Sequence, residues 1–356
     1  MSASSGYSNR AKFTGHINHT NPANQIDQGL HLDHSQHSHH ANSTNPVPRK
    51  PAPNHSSWWK KLKSQKMLML MSVPFLIYVI IFAYVPLYGW MMAFQNYKPG
   101  SSMLNNSWVG WKNFAELFQD DSFLRVIRNT LAMSVINLVF GFVSSITLAL
   151  MLNEVRKMLF KRVVQTISYL PHFISWVVAA NLIMNMLSID GIVNQVLVKL
   201  HIIKEPIMWL SEQYYFWWII GASNVWKEIG WSAIIYLAAM AMIDPSLYEA
   251  ASIDGAGRFR KIFSITLPGI RSIIIILLIM NIGHILDAGF EQQYLLQTPM
   301  VVDYSETIDI FVLKYGINLS RFSFATAAGI FKTVISVILL LAANRMAKRM
   351  GQERLF

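Results

Sequence analysis

Apolar residues in this chain gather in long blocks separated by short polar stretches, a pattern that predicts membrane-crossing helices and not an alternating sheet. Six blocks are long enough to cross a bilayer, at about 67–94, 131–152, 163–187, 216–242, 273–290 and 324–343. The fifth is the least regular, because its second half contains Asn281, His284 and Asp287. Between the fourth and fifth lies a polar stretch, Asp244 to Pro268. Asp244 is placed to cap a helix whose first residue is Pro245, and Ser246 and Glu249 have capping-box spacing. Gly255 supplies a left-handed residue to end that helix, and Phe259, Ile262 and Phe263 suggest a second short helix that Pro268 breaks. The expectation is a helix, a tight turn and another helix between two spans.

Composition agrees with a membrane protein: 53% of the 356 residues are hydrophobic and 14% are charged. The absence of cysteine excludes disulfides and thiolate metal sites. A net charge of +11 would suggest nucleic acid in a soluble protein, but here the basic residues sit beside the spans, so the partner is a lipid membrane. Eighteen Lys and Arg fall in one set of segments, which includes both ends and the 244–268 loop; eight fall in the opposite set. By the positive-inside rule both termini and the loop are cytoplasmic.

Residues 1–57 are rich in Asn, Ser, His and Pro and lack apolar periodicity, which predicts a disordered cytoplasmic tail. Eight of the 11 histidines precede residue 60, among them His31, His34, His37, His39 and His40. Imidazole binds Zn²⁺ or Ni²⁺, but the tract has no defined ligand geometry and reads as a polar tail. No apolar segment with a small-residue cleavage site lies near Met1, so no signal peptide is expected. Trp58, Trp59, Lys60, Lys61, Lys63 and Lys66 make residues 58–66 a basic and aromatic collar ahead of the transmembrane domain, 67–350.

Small residues recur every four positions at Gly141, Ser145 and Ala149 and at Ala325, Gly329 and Thr333, a spacing that lets helices approach closely. Such stripes seal a bundle within one chain or face a partner subunit. Polar groups inside the apolar blocks mark either a substrate path or interhelical contacts. They are Lys227 and Glu228 in the fourth block and Asn281, His284, Asp287 and Glu291 along the fifth. His284, Asp287 and Glu291, three and four apart, are expected on one helical face. Tyr214, Tyr215, Trp217 and Trp218 fit an aromatic belt or a platform on which a ring-shaped substrate stacks.

Glu249-Ala250-Ala251, Asp254-Gly255-Ala256 and Ile265-Thr266-Leu267-Pro268, at these separations, resemble the EAA loop of the membrane subunits of binding-protein-dependent ABC importers. The likeness extends over about residues 67–350. Pro86 to Tyr97, Trp108 to Phe114, Asn129-Thr130, Leu170 to Val178, Gly191 to Asn194, Trp226 to Trp231 and Ala342 to Asn344 resemble the carbohydrate permeases, in particular those for complex oligosaccharides. The resemblance implies an all-α integral membrane protein, a six-helix ABC importer permease bundle with cytoplasmic coupling helices, in a bacterial cell membrane.

The same resemblance implies that Glu249, Ala250, Ala251, Asp254, Gly255, Ala256, Ile265, Leu267 and Pro268 dock a separate ATPase. The chain has no G-x-x-x-x-G-K-S/T loop, so it is expected neither to hydrolyse ATP nor to be an enzyme, and to hold no cofactor or metal itself. The implied partners are a second homologous permease, a dimer of ATPase subunits and an extracellular sugar-binding protein. The implied function is ATP-driven passage of an oligosaccharide or other carbohydrate into the cytoplasm. Two alternatives stay open on residues alone: an ABC permease for a non-sugar solute, and an ion-coupled carrier using the mid-span charges.

Overall fold

The computed structural model describes residues 65–349, so the readings of the tail and of the collar through residue 64 lie outside the described residues. From Met67 to Arg349 the regular elements are helices joined by turns and short loops. Among the described residues the only β-pairing is an isolated bridge between Gln95 and Trp108.

Among the described residues three helices are long and apolar enough to cross a membrane unaided: Lys66–Phe94, Asp121–Glu154 and Phe322–Arg349. The first begins as α1 (Lys66–Val79), widens to a π turn (Ile80–Tyr84) and tightens to a 3₁₀ segment (Val85–Phe94). Pro86 gives the reason for the change, because it has no N–H and its ring crowds the preceding turn; the Val85 N–H reaches back to the Ile80 carbonyl instead. After the short α2 (Lys112–Gln119), α3 (Asp121–Glu154) starts where the Asp120 side chain accepts the Ser122 N–H at 2.8 Å.

Three further apolar segments pass the same test only as bent pairs. Helix α4 (Met158–Tyr169), with the 3₁₀ turn Leu170–Phe173, meets α5 (Trp176–Met186) at 104°. The third predicted span, read as one run, is therefore broken: Pro171 loosens the backbone and Ser175 caps a new helix by accepting the Val178 N–H. Helix α6 (Ile192–Lys199) follows. Helix α7 (Gln213–Ala241) turns by 72° into α8 (Pro245–Ile253). The segment holding α9 (Arg258–Lys261), a π turn (Ile262–Thr266) and α10 (Leu267–Gly269) meets α11 (Arg271–Gly283) at 61°. Pro268 does not end this segment as the sequence suggests. The π turn ahead of it absorbs the missing donor, as at Pro86, and the break comes at Ile270.

The fifth predicted span is shorter than expected, because α11 ends at Gly283 and residues 284–289 form a turn. Gly289, at φ +87°, starts α12 (Phe290–Leu296). Next come α13 (Val302–Ser305), α14 (Ile308–Leu313) with a π turn (Lys314–Asn318), and α15 (Phe322–Arg349).

Helices α3 and α7 run parallel and form the spine. Met133 packs with Phe216 and Ile220 near their starts, and Ala149 packs with Ala233, Tyr236 and Met240 near their ends. Ala149 and Ser145 of the first small-residue stripe are buried in this contact. Helices α11 and α15 pair antiparallel through Ile279, Leu340, Ala343 and Ala347. A fourth cluster, with Phe123, Phe311 and Phe324, joins α3, α14 and α15.

Candidate functional site

The loop between α7 and α11 is locally determined. Asp244 caps α8 by accepting the Ser246 N–H at 2.9 Å, and that bond holds its carboxyl below the usual carboxylate range. At the other end the Gly255 N–H reaches the Ser252 carbonyl at 3.2 Å and the Ala256 N–H reaches the Ala251 carbonyl at 2.8 Å. This is a Schellman stop, with Gly255 left-handed at φ +73°. Glu249 makes no side-chain hydrogen bond among the described residues, so the capping-box pairing with Ser246 does not form; Asp244 has already taken that amide.

Two side-chain contacts clamp the halves of the loop together. The Tyr248 and Thr266 hydroxyls meet at 2.9 Å, and Lys261 Nζ donates to Ser252 Oγ at 2.6 Å. Outward from the clamp, Glu249, Ala250, Asp254, Gly255 and Pro268 are exposed, while Ala251, Ala256, Ile265 and Leu267 are half-buried. Leu247, Ile253, Phe259 and Phe263 are each more than half exposed, Ile253 at 88% and Phe259 at 78%. Tyr248, Ser252, Lys261 and Thr266 escape a reading of the sequence because their pairing depends on how the two helices fold back.

The mid-span polar residues separate into three settings. Lys227 is 5% exposed and donates from Nζ to the His172 carbonyl at 2.8 Å, at the break between α4 and α5. Glu228 accepts from Lys227 at 3.4 Å and meets His172 Nδ1 at 2.7 Å. The His172 ring lies flat on Trp231 at 4.5 Å. Gly230 completes this knot, since a Cβ there would stand 2.0 Å from the Ser168 carbonyl oxygen. Lys227 thus ties α7 to the bend between α4 and α5.

Glu228 and Asn281 come together in a cavity of about 220 Å³ between α3, α7 and α11, with Asn137, Asn224, Ser145 and Tyr236. Asn137 Oδ1 is buried there with no hydrogen-bond partner among the described residues. His284 and Asp287 instead line a groove of about 550 Å³ between α11 and α15. The expectation that His284, Asp287 and Glu291 share one helical face is corrected, because the helix ends at Gly283. His284 and Asp287 still bond at 3.1 Å across the turn, but Glu291 belongs to α12 and is exposed. The groove holds two residues that sequence reasoning missed: Lys332 Nζ lies 2.6 Å from Asp287 and 2.7 Å from Asp309. Lys332 stands inside the sixth apolar block, so the criterion that singled out Lys227 would have found it. Of the four aromatic residues, Trp217 donates to the Tyr304 carbonyl, while Tyr214 and Trp218 are exposed.

The remaining motifs form knots in pairs. Asn194 bonds Ile207 through both its amide groups and accepts from Trp209 Nε1, folding the 188–209 segment. Asn113 donates to the Ala93 and Gln95 carbonyls, while Phe94 stacks on Trp108.

Comparison with known proteins agrees with this arrangement. The chain is 42% identical over 301 residues to Protein LplB of Bacillus subtilis (strain 168), covering 84% of this chain and 94% of that one. It is 44% identical over 297 residues to the polygalacturonan/rhamnogalacturonan transport system permease protein YteP of the same organism, covering 83% and 92%. Among solved structures it superposes with TM-score 0.77 and 40% identity on a chain of a bacterial ABC transporter involved in the import of the acidic polysaccharide alginate, covering 83% of this chain and 100% of that one. A second structure, of the alginate transporter in complex with an alginate pentasaccharide-bound periplasmic protein, matches with the same score and identity. Residues 138–352 match the family described as the binding-protein-dependent transport system inner membrane component, and the chain belongs to that family.

Proposed function

We propose that this chain is the permease through which an oligosaccharide, delivered by an extracellular binding protein, enters a bacterial cell, with the energy supplied by ATP hydrolysis in separate subunits. In this reading the chain spans the bacterial membrane six times with both termini in the cytoplasm. It pairs with a second homologous permease and two ATPase copies, and needs no cofactor of its own. The observation that carries it is the clamped loop: a rigid helix–turn–helix that keeps Leu247, Ile253, Phe259 and Phe263 exposed. A soluble surface does not maintain such a cluster without a partner. Seated in a groove of the ATPase, Ala250 and Ala251 allow close approach while Glu249 and Asp254 offer charge. Gly255 with Ala256 sets the turn, and Ile265 and Leu267 hold the second half against the bundle beside the exposed Pro268.

The sugar path runs past the Glu228 and Asn281 cavity, where amides, hydroxyls and the unpartnered Asn137 oxygen match sugar hydroxyls. Glu228 is balanced there by Lys227 and His172, so the cavity does not repel an anionic sugar. That agrees with the acidic polysaccharide alginate named for one solved relative and the polygalacturonan/rhamnogalacturonan named for a sequence relative.

Reconstitution of the complex in vesicles tests the proposal. Gly255→Val and Glu249→Arg should abolish ATP-driven uptake of an oligogalacturonate while the protein stays folded, and full uptake in both variants would refute the docking role.

A further inference from the structure

Charge is unbalanced where α11 ends against α15. Lys332 Nζ stands 2.6 Å from Asp287 Oδ1 and 2.7 and 2.9 Å from the two Asp309 oxygens, while His284 Nδ1 lies 3.1 Å from Asp287 Oδ2. Two carboxylates share one ammonium, so Lys332 alone does not balance Asp287 and Asp309. The depth of the cluster makes this costly. Helix α11 is 13 residues long, about 20 Å, which falls short of the roughly 30 Å hydrocarbon layer. Lys332 stands about 15 Å along α15 from Phe322.

The cluster nevertheless opens to the outside of the chain. It lines the groove of about 550 Å³ together with Gly283, Gly329 and Thr333, and the Asp287 side chain is 55% exposed. Lipid tails are a poor cover for an exposed carboxylate. The floor of the groove is low, since nothing lies within 4 Å of where a Cβ on Gly329 would stand and Thr333 follows one turn later. A helix backbone can come close over such a floor.

We infer that this groove seats a transmembrane helix of a second, different permease subunit that presents a Lys or Arg side chain to Asp287. The inference rests on the two-permease reading given above. A second copy of this chain is the wrong occupant. Among the described residues Lys332 is the only Lys or Arg lining the groove and is already shared, so identical grooves meeting face to face would bring no further cation to Asp287.

Because the chain contains no cysteine, single-cysteine variants report cleanly. Thr333→Cys, labelled with benzophenone maleimide in native membranes and irradiated, should yield a product whose peptides come from a permease of different sequence; Val143→Cys on α3 serves for comparison. Asp287→Asn should lower copurification of that permease roughly tenfold or more. A Thr333→Cys product made only with lipid or with a second copy of this chain, while the other permease still copurifies, overturns the groove assignment and spares the two-permease reading. Unchanged copurification of folded Asp287→Asn overturns the charge pairing. If the wild-type complex contains no second permease, the two-permease reading itself falls.

Discussion

The Thr130 hydroxyl accepts the backbone N–H of Ile308 at 3.0 Å, joining residues 178 apart in sequence. Beside it, Asn129 donates to the carbonyls of Asp303 at 2.9 Å and Glu306 at 3.2 Å, and Arg128 reaches the same Asp303 carbonyl while lying over the Tyr304 ring. Two adjacent side chains on α3, both fully buried, therefore satisfy the backbone groups where α13 passes into α14.

Removing either one leaves a buried backbone group without a partner. Asn129→Ala and Thr130→Val should each destabilise the protein by about 1–3 kcal/mol, read as a lower melting temperature in detergent. Thr130→Ser, which keeps the hydroxyl, should lose much less.

Gly230 and Gly257 make a matched test of packing. Gly230→Ala drives a methyl group into the Ser168 carbonyl and should cost about 1–3 kcal/mol. Gly257→Ala meets open space and should leave the melting temperature within about 2 °C of wild type. Equal effects would mean that α4 and α7 are not in the close contact described.

Lys227→Met keeps the stem and removes the ammonium, leaving the His172 carbonyl without its donor and Glu228 with His172 as its one remaining partner. A loss of about 2 kcal/mol is expected, with faster amide exchange at residues 170–176, where the chain bends. Lys227→Arg should recover part of both.

The Asp244 cap should depend on pH. Its carboxyl titrates below the ordinary carboxylate value because the charged form accepts the Ser246 N–H. Its contribution is therefore complete above the ordinary value and is lost as pH falls through the lowered one. Amide exchange in α8 should rise over that acidic window, and Asp244→Asn, which still caps, should remove this dependence while keeping the helix.

What was legible in the sequence was what is decided within a few residues. The Asp244 cap, the Gly255 stop and the apolar blocks follow from local chemistry. The breaks at Ser175 and Ile270 were not legible, because hydropathy continues across them and a bend depends on which neighbour satisfies the freed backbone. The same applies to the polar residues. Periodicity placed His284, Asp287 and Glu291 on one face, but the helix they required stops at Gly283. Lys332 and Asp309 were visible as charges; that they share a groove with Asp287 is a matter of tertiary contact.

The clamp between Tyr248 and Thr266, with that between Ser252 and Lys261, makes α8 to α10 a single stiff bracket. It is hung from the bundle at two joints, Ile243–Asp244 and Ile270. Those joints touch, because Gly269 lies directly against the Ile243 side chain. A rigid piece pinned at two neighbouring points has one easy motion, a swing about the short line through them. A push on its outer surface is therefore delivered to α7 and α11 together, through those two touching joints.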